Sequence, residues 1–154
     1  MSAKQSKQFP LLWLIFPIGL VLYLAYNLTK ATPKESLWIK LSKYSRYADW
    51  IEAQARHESA NYTSAVFKRS NNPFGMKNAI KRKQLGKQVG SDPYRHYANI
   101  GESIRDYLLY LDEFKTPTNI ASAESYYMKL EEQGYASDPK YTNKILRYVK
   151  GRVI

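Results

Sequence analysis

Cysteine is absent from this chain of 154 residues, and histidine occurs only as His57 and His96. The lack of cysteine excludes disulfides, thiolate zinc sites and a cysteine nucleophile, and two histidines argue against a histidine-rich metal centre. We therefore expect no metal or organic cofactor. Acidic residues are also few: 13 Asp+Glu stand against 24 Lys+Arg, which gives a formal net charge of +11. This excess predicts attraction to polyanions, whether nucleic acid, anionic lipid head groups or acidic cell-wall polymers.

The length favours one compact domain with short appendages. Hydrophobic residues make up 44% of the chain, which excludes a wholly disordered protein. Tyrosine is abundant, with 14 residues. Such a supply of rings suits a groove for ring-shaped ligands, and it equally suits a hydrophobic core.

Residues 9–28 lie within the longest uncharged run and comprise twenty positions without Asp, Glu, Lys or Arg. As a helix this run is about 30 Å long, which matches the hydrocarbon core of a bilayer. Pro17 and Gly19 are tolerated in membrane helices. The alternative is a cleaved signal peptide, but its apolar core is usually about 7–15 residues and ends at a small-residue cleavage site. We expect an uncleaved transmembrane signal anchor.

The anchor divides the chain into a short tail (1–8), the span (9–28), a polar linker (29–35) and the main domain (36–154). Lys4 and Lys7 precede the span, and Lys30, Lys34, Lys40 and Lys43 follow it. The positive-inside rule therefore leaves the orientation open. Since only two basic residues lie before residue 29, the charge belongs mainly to the domain.

The domain is predicted to be α+β and mainly α. We expect one long or two short helices over 36–59, mainly loop over 61–78, and a small β-hairpin or irregular flap over 79–97. A capping box at Asn99–Glu102 predicts the start of a further helix. Two more helices are expected, one over 122–133 that ends at Gly134 and one that starts near Pro139.

Glu58 is the residue whose position indicates chemistry. On a helix over 47–58 it falls within the same arc as Ile51 and Ala55, while Asp49, Glu52 and Arg56 fall opposite. A carboxyl on an apolar face is desolvated, which raises its pKa and suits it to act as a general acid in glycoside cleavage. Alternatively, Glu58 ends the helix and turns to solvent or pairs with Arg56 or Arg69. The helical geometry alone does not separate these two interpretations.

Five segments occur in a characteristic order: AQARHES (53–59), NNPFGMK (71–77), YRHY (94–97), ESIRDY (102–107) and GYASDPKY (134–141). Together they resemble the glucosaminidase family of peptidoglycan hydrolases (mannosyl-glycoprotein endo-beta-N-acetylglucosaminidase-like domains of the lysozyme-like superfamily). The resemblance spans roughly residues 47 to 148. The Glu-Ser segment alone is also similar to lytic transglycosylases, whereas the second and fifth segments favour the glucosaminidases.

The resemblance implies a lysozyme-like helical domain in which Glu58 protonates the glycosidic oxygen. Tyr135 matches the family tyrosine near the acid, expected to orient substrate or water. Other positions match or flank the cleft: Asn72, Phe74 and Gly75 in its bordering loop, Tyr94 and Tyr97 beside the flap, and Tyr141, for which a core role is the alternative.

One departure from the family concerns the second carboxylate. Many members place it in the β element, but here no acid occurs between Glu58 and Asp92. Either Asp92 is the base or the enzyme has none, in which case the 2-acetamido group of the substrate can act as nucleophile. Glu102 is a further candidate for the second carboxylate, and the alternative is that it only caps the helix that starts at Asn99. The flap instead carries five basic residues: Lys77, Lys81, Arg82, Lys83 and Lys87.

These observations predict a membrane-anchored peptidoglycan hydrolase. We expect its domain on the cell-wall side of the membrane, periplasmic or extracellular, and the membrane can also be that of a virion. A tethered module that binds glycan without cutting it is the second hypothesis. The third is nucleic-acid binding by the lysines of 77–87 on the cytoplasmic side. No recognised nucleic-acid motif accompanies that cluster, so no specific nucleic acid is expected as a partner. Oligomeric state and the choice between wall remodelling and virus-associated lysis stay open.

Overall fold

The computed structural model describes residues 32–34 and 36–150, which form a mainly helical domain. Within these ranges the α-helices are α1 (Leu37–Lys40), α2 (Ala48–Glu58), α3 (Ala65–Ser70), α4 (Ile100–Glu113), α5 (Ala123–Glu132) and α6 (Tyr141–Val149), and a 3-10 turn at Ser45–Tyr47 leads into α2. The predicted anchor at 9–28, the tail and most of the linker lie outside the described residues. Within 32–34 and 36–150, no helix combines the length and the apolar character needed to cross a membrane.

Four helices begin where a serine or asparagine side chain caps the first turn. The side-chain oxygens of Ser36, Ser64, Asn99 and Ser122 each accept a hydrogen bond from a backbone N–H two or three residues further on. Such caps satisfy one of the free donors of the first helical turn. The predicted helix start at Asn99 is confirmed, as is the end of α5 before Gly134, whose φ is +74°.

The region 36–59 forms two helices, α1 and α2, with a 3-10 turn between them, which is one of the two predicted alternatives. Two other segments differ from the sequence prediction. The predicted loop over 61–78 contains α3 because Ser64 caps it. Asn71 ends α3 in the left-handed conformation, with φ of +50°. The last helix begins at Tyr141 and not at Pro139, since the chain first makes a turn in which Tyr141 N–H donates to the Asp138 carbonyl at 2.9 Å.

Tyrosine rings fill much of the core. Helix α2 packs against α6, which also packs against α5, and α1 packs against α4. Aliphatic side chains of five helices are fully buried between them, and so are tyrosine rings, some of whose hydroxyls bond the backbone. The Tyr47 hydroxyl, for example, donates to the Pro117 carbonyl at 2.9 Å and accepts from Ile120 N–H at 2.8 Å. The buried tyrosines are Tyr44, Tyr47, Tyr97, Tyr107, Tyr110, Tyr126, Tyr127 and Tyr141.

The flap over 77–97 is irregular. It contains two isolated antiparallel bridges, Lys77 with Tyr94 and Lys87 with His96, and no strand is formed in the described part of the chain. The predicted β-hairpin is therefore wrong in its regular form, and the irregular alternative is the one observed. The expectation of an α+β domain becomes a mainly α domain with almost no strand.

The flap is held mainly by hydrogen bonds to Asp106 of α4 and not by pairing between strands. Its buried carboxylate accepts hydrogen bonds from the Arg82 guanidinium at 2.8 and 3.1 Å, from Leu85 N–H at 2.9 Å and from the Tyr97 hydroxyl at 2.7 Å. Glu102, one turn earlier, accepts from Gly86 N–H at 3.3 Å and Ala98 N–H at 2.7 Å. Side chains of one helix thus satisfy the backbone groups that a hairpin would pair.

Candidate active site

A cavity of about 970 Å³ lies between the C-terminal end of α2, the flap and the segment after α5. Glu58 lines it from α2, and Gly75, Lys77 and Lys81 line it from the loop and flap. Six aromatic residues also line it. They are Phe74 of the loop, Tyr94 of the flap, Tyr110 and Phe114 at the end of α4, Tyr135 after α5, and Tyr141 at the start of α6.

Glu58 is the last residue of α2, and its side chain is half-buried. Burial raises the pKa of its carboxyl to about 7, and a hydrogen bond with the Tyr141 hydroxyl acts in the opposite direction. Arg56 instead pairs with Glu52, with Nε to Oε1 at 2.9 Å, and Arg69 pairs with Asp92 at 2.8 Å. The alternative in which Glu58 pairs with one of these arginines is therefore wrong. A carboxyl with this pKa is about half protonated at pH 7, whereas an ordinary glutamate is almost fully ionised, and this retained proton is what a general acid needs.

The loop of residues 72–76 is shaped by Asn72, whose side chain is buried. Its Nδ2 donates to the carbonyls of Met76 and Arg95 at 2.8 and 2.9 Å, and its Oδ1 accepts from Met76 N–H at 3.0 Å. The loop places Gly75, with φ of +61°, directly beside Glu58: a Cβ built at Gly75 would lie 3.3 Å from Glu58 Oε2. Asn72 itself is not among the residues that line the cavity.

Tyr135 connects the segment after α5 to this loop. Its hydroxyl donates to the Phe74 carbonyl at 2.6 Å, and its ring packs edge-on against Tyr107 and Tyr110. The Phe74 ring is buried and stacks on Tyr107 with the centroids 4.2 Å apart. Burial, the nearby Glu58 carboxyl and neighbouring tyrosines raise the pKa of Tyr135 well above its usual value.

Gln54, one turn before Glu58 on α2, is fully buried and was not predicted as a site residue. Its Nε2 donates to the Tyr141 hydroxyl at 3.1 Å, and the Tyr107 hydroxyl donates to its Oε1. The sequence held one signal for it, since a glutamine four residues before Glu58 lies on the same helix face. Tyr141 is at once a core residue, 3% exposed, and a hydrogen-bond partner of Glu58.

Asp92 lies apart from Glu58 in the flap and is not among the residues that line the cavity. Its carboxylate accepts two hydrogen bonds from Arg69 at 2.8 and 3.2 Å and contacts His96 Nε2 at 2.9 Å. These contacts hold the pKa of Asp92 far below its usual range. Tyr97 lies at the end of the flap, but its ring is buried and is not part of the cavity lining.

Asp138 is a second carboxylate in the lining, and it was not predicted as a site residue although it stands within the segment 134–141. It pairs with Lys144 and accepts from Lys140 N–H at 2.9 Å, and both contacts lower its pKa. Among residues 32–34 and 36–150, no group of three or more histidine, aspartate or glutamate side chains is placed to hold a metal ion.

The cavity is bordered by cations that have no acidic partner. The Arg82 guanidinium is neutralised by Asp106 at 2.8 Å. In the described part of the chain, no carboxylate pairs with the exposed ammonium groups of Lys77 and Lys81. The Tyr94 ring lies beneath the Arg69 guanidinium, 5.8 Å from its carbon to the ring centroid. The cavity therefore combines a carboxyl with a raised pKa, aromatic rings and free positive charge.

Comparison with known proteins identifies the family of this domain. No curated protein and no solved structure matches the chain. The family model of the glucosaminidases, described as mannosyl-glycoprotein endo-beta-N-acetylglucosaminidase, matches residues 35–151, which include every helix described above. The match covers about three quarters of the chain. The chain therefore belongs to the glucosaminidase family, whose membership implies a glycoside hydrolase.

Proposed function

We propose that the protein is a membrane-anchored peptidoglycan hydrolase that cleaves the glycan strand at N-acetylglucosamine, with Glu58 as the general acid. The observation that carries this proposal is a desolvated carboxyl, with a pKa of about 7, in the wall of a large open cavity. Cleavage of a glycosidic bond needs a protonated acid next to the leaving oxygen. The family membership supports the reaction class, and the position of Glu58 supports the assignment of the acid.

In the first step, Glu58 transfers its proton to the glycosidic oxygen as the bond from that oxygen to C1 breaks. The carbonyl oxygen of the substrate's own 2-acetamido group attacks C1 and forms a cyclic oxazolinium ion. Water then opens this ion at C1 and gives a proton to the Glu58 carboxylate, which restores the acid. Because C1 is attacked twice from alternate faces, the product retains its configuration.

The absence of Asp92 from the cavity lining supports this mechanism with a single protein carboxylate. Asp138 does line the cavity, but Lys144 neutralises it and lowers its pKa, so it is a poor acceptor for a proton from water. Retention of configuration is the outcome that this mechanism predicts, whereas inversion would indicate a second carboxylate that activates water.

The remaining lining fits a peptidoglycan strand. Tyr94, Tyr110 and Phe114 present aromatic surface on which sugar rings can stack. Lys77 and Lys81 are available to the carboxylates of the stem peptides. We assign Tyr135 and Gly75 to orienting Glu58 and its substrate, and Tyr141 to a hydrogen bond with the Glu58 carboxyl.

Residues 9–28 would hold the domain at a membrane, with the domain on the cell-wall side. The uncharged run of twenty residues supports the anchor, and the peptidoglycan substrate supports that side. The linker of residues 29–35 would keep the domain within about 25 Å of the bilayer, because an extended residue spans at most about 3.5 Å. Such a tether restricts cleavage to strands close to the membrane, as wall remodelling or virus-associated lysis requires.

The test is digestion of purified peptidoglycan by the full-length chain, with mass analysis of the soluble products. The matched variants are Glu58→Gln and Glu113→Gln, since Glu113 is an exposed glutamate outside the cavity. We expect reducing N-acetylglucosamine ends from the wild type and Glu113→Gln, and a loss of at least about a thousandfold in Glu58→Gln. Wild-type rates in a folded Glu58→Gln variant would exclude Glu58 as the acid.

Two other product patterns identify the alternatives. Anhydro-muramyl ends would assign the protein to lytic transglycosylases that use the same acid. Binding of sacculi without any new reducing end, in wild type and variant alike, would identify a tethered glycan-binding module. The absence of a carboxylate like that of the family's β element motivates this second candidate.

A further inference from the structure

Glu58 stands at one end of a buried path of hydrogen bonds that connects residues of four helices. Gln54 of α2 lies at its centre and is fully buried. The Tyr107 hydroxyl of α4 contacts both the Gln54 Oε1 and, at 2.7 Å, the Tyr126 hydroxyl of α5. On the other side, Gln54 Nε2 lies 3.1 Å from the Tyr141 hydroxyl of α6. Tyr141 in turn hydrogen-bonds the Glu58 carboxyl.

The chemistry of these groups determines the direction of the path. A tyrosine hydroxyl has one hydrogen to donate, whereas an amide has an oxygen that accepts and a nitrogen that donates. Since Tyr107 donates to Gln54 Oε1, Tyr126 must be the donor to Tyr107. Since Gln54 Nε2 donates to the Tyr141 oxygen, the single hydrogen of Tyr141 is left for Glu58.

The hydrogen bonds of Tyr135 are consistent with this direction of donation. Its single hydrogen is donated to the Phe74 carbonyl at 2.6 Å. Its oxygen is therefore free to accept from the Gln54 amide, and that contact lowers the pKa of Tyr135. The Gln54 nitrogen thus acts as a donor towards both tyrosines that border Glu58.

We propose that Gln54 is a positioning residue that directs the hydroxyl hydrogen of Tyr141 onto the Glu58 carboxyl. A hydroxyl held in this orientation stabilises the carboxylate that forms when Glu58 gives up its proton. Without the amide donor, the Tyr141 hydroxyl is free to rotate and to accept from protonated Glu58, which would oppose proton donation. The catalytic part of this inference rests on the function proposed above, but the orientation of the hydrogen bond does not.

Other titratable groups lie around Glu58. His57 is its neighbour on α2, and Tyr135 and Tyr141, both of which Gln54 also contacts, face it from the segment after α5 and from α6. The remaining titratable groups of the lining are Lys77, Lys81, Arg82 and Tyr94 of the flap, Tyr110 of α4, and Asp138.

The test is a titration of Glu58 by NMR in the full-length chain labelled with ¹³C at glutamate Cδ, with its signal assigned by Glu58→Gln. Tyr141→Phe removes the donor, and we expect the pKa of Glu58 to rise by about one unit, since a hydrogen bond to a charged group contributes about 1.5 kcal/mol. Gln54→Met removes the orienting amide and should give a rise in the same direction. In the Tyr141→Phe background, Gln54→Met should cause no additional rise.

Two conservative variants separate orientation from general damage to the core. Tyr107→Phe frees the Gln54 amide to turn its oxygen towards Tyr141, and should also raise the pKa of Glu58. Tyr126→Phe leaves the path from Tyr107 to Glu58 intact and should leave that pKa unchanged. An unchanged pKa in Tyr107→Phe and Gln54→Met, or equal rises in Tyr126→Phe, would overturn the proposal even if Gln54→Met folds poorly.

Kinetics then link the orientation to catalysis. In Gln54→Met we expect kcat to fall about tenfold with KM unchanged, and the basic limb of the pH profile of kcat/KM to move upward with the pKa measured by NMR. If the wild type does not cleave glycan, the NMR titration still decides the orientation. A pKa of Glu58 that moves while kcat stays at the wild-type value would exclude the catalytic role of Gln54.

Discussion

Gly75 leaves room for the Glu58 carboxyl: a Cβ at position 75 would lie 3.3 Å from Glu58 Oε2 and 3.9 Å from its Cβ. Gly75 also adopts φ of +61°, a conformation that favours glycine. Glycine is therefore favoured at position 75 for two reasons: the positive φ of its backbone and the small space left by the Glu58 carboxyl.

The variant Gly75→Ala should lose activity beyond the effect of backbone strain. Gly90→Ala is the matched control, because Gly90 has φ of +51°, open space around its α-carbon and no place in the cavity lining. Both variants should lose about 1 kcal/mol of unfolding free energy from the left-handed backbone. Only Gly75→Ala should displace the Glu58 carboxyl, and we expect its kcat/KM to fall by at least about tenfold. Equal activity of the two variants would show that the contact with Glu58 is unimportant.

Glu58 should make the fold less stable as the pH rises. Its pKa of about 7 in the fold lies above its ordinary value of 4.5, so the folded state holds more protons than the unfolded chain between these values. The stabilisation is complete below pH 4.5 and is lost as the pH rises through 7. Relative to wild type, Glu58→Gln should therefore gain about 2–3 kcal/mol in unfolding free energy between pH 4.5 and pH 8.

Urea unfolding of wild type and Glu58→Gln at both pH values measures this gain. Glu113→Gln is the control, since it removes an exposed glutamate and should follow the wild type. If the difference in unfolding free energy between Glu58→Gln and wild type were the same at both pH values, the pKa of Glu58 would be the same in the folded and unfolded states, and the prediction would be wrong.

Asp106 should be the residue whose loss releases the flap. It is fully buried and pairs with Arg82, whose side chain is 9% exposed. Asp106→Asn should cost about 3 kcal/mol or more, because it leaves the Arg82 charge buried without a partner. Asp112→Asn, which removes an exposed pair with Lys43, should cost less than about 1 kcal/mol.

Hydrogen exchange provides a local readout for Asp106→Asn. The amide of Leu85 donates to the Asp106 carboxylate and should lose protection, while amides of α5 and α6 keep theirs. Protection of Leu85 at the wild-type level would mean that the flap is held by other contacts.

Lys77 and Lys81 should contribute to the affinity for peptidoglycan through charge. The double variant Lys77→Gln/Lys81→Gln should bind sacculi about fivefold more weakly at 50 mM salt, if each exposed pair contributes about 0.5 kcal/mol. The difference should shrink at 500 mM salt because the interaction is screened. Lys40→Gln/Lys150→Gln removes two exposed lysines outside the cavity and is the charge-matched control. An equal loss in that control would indicate attraction to the whole domain and not to the cavity.

Asp138 and Asp92 should both be dispensable for the chemical step. Asp138→Asn and Asp92→Asn are each expected to keep kcat within about threefold of wild type, since substrate assistance needs no second carboxylate. Initial rates on peptidoglycan, with the anomeric configuration of the product followed by NMR, provide the measurement. A loss of a hundredfold or more in Asp138→Asn, together with an inverted product, would assign Asp138 as the base.

Local patterns in the sequence were sufficient for several features of this protein. The cap at Asn99, the end of α5 at Gly134 and the place of Glu58 on the apolar side of α2 are observed as predicted. Each depends on residues within a turn or two of each other, where side-chain chemistry and helical periodicity act directly. The order of five short segments likewise identified the family, which the match over residues 35–151 confirms.

The partners of these residues were decided only by the tertiary structure. Glu52, on the arc opposite Glu58, is nevertheless 7% exposed because the Tyr62 hydroxyl and Arg56 enclose it. Gln54 and Tyr141 are 87 residues apart in the chain and share a hydrogen bond. Helical periodicity indicates which face a side chain occupies, but the group that meets that face depends on how distant segments pack. The sequence thus determined the place of Glu58 on its helix, and the packing of α4, α5 and α6 against α2 determined the environment that sets the pKa of its carboxyl.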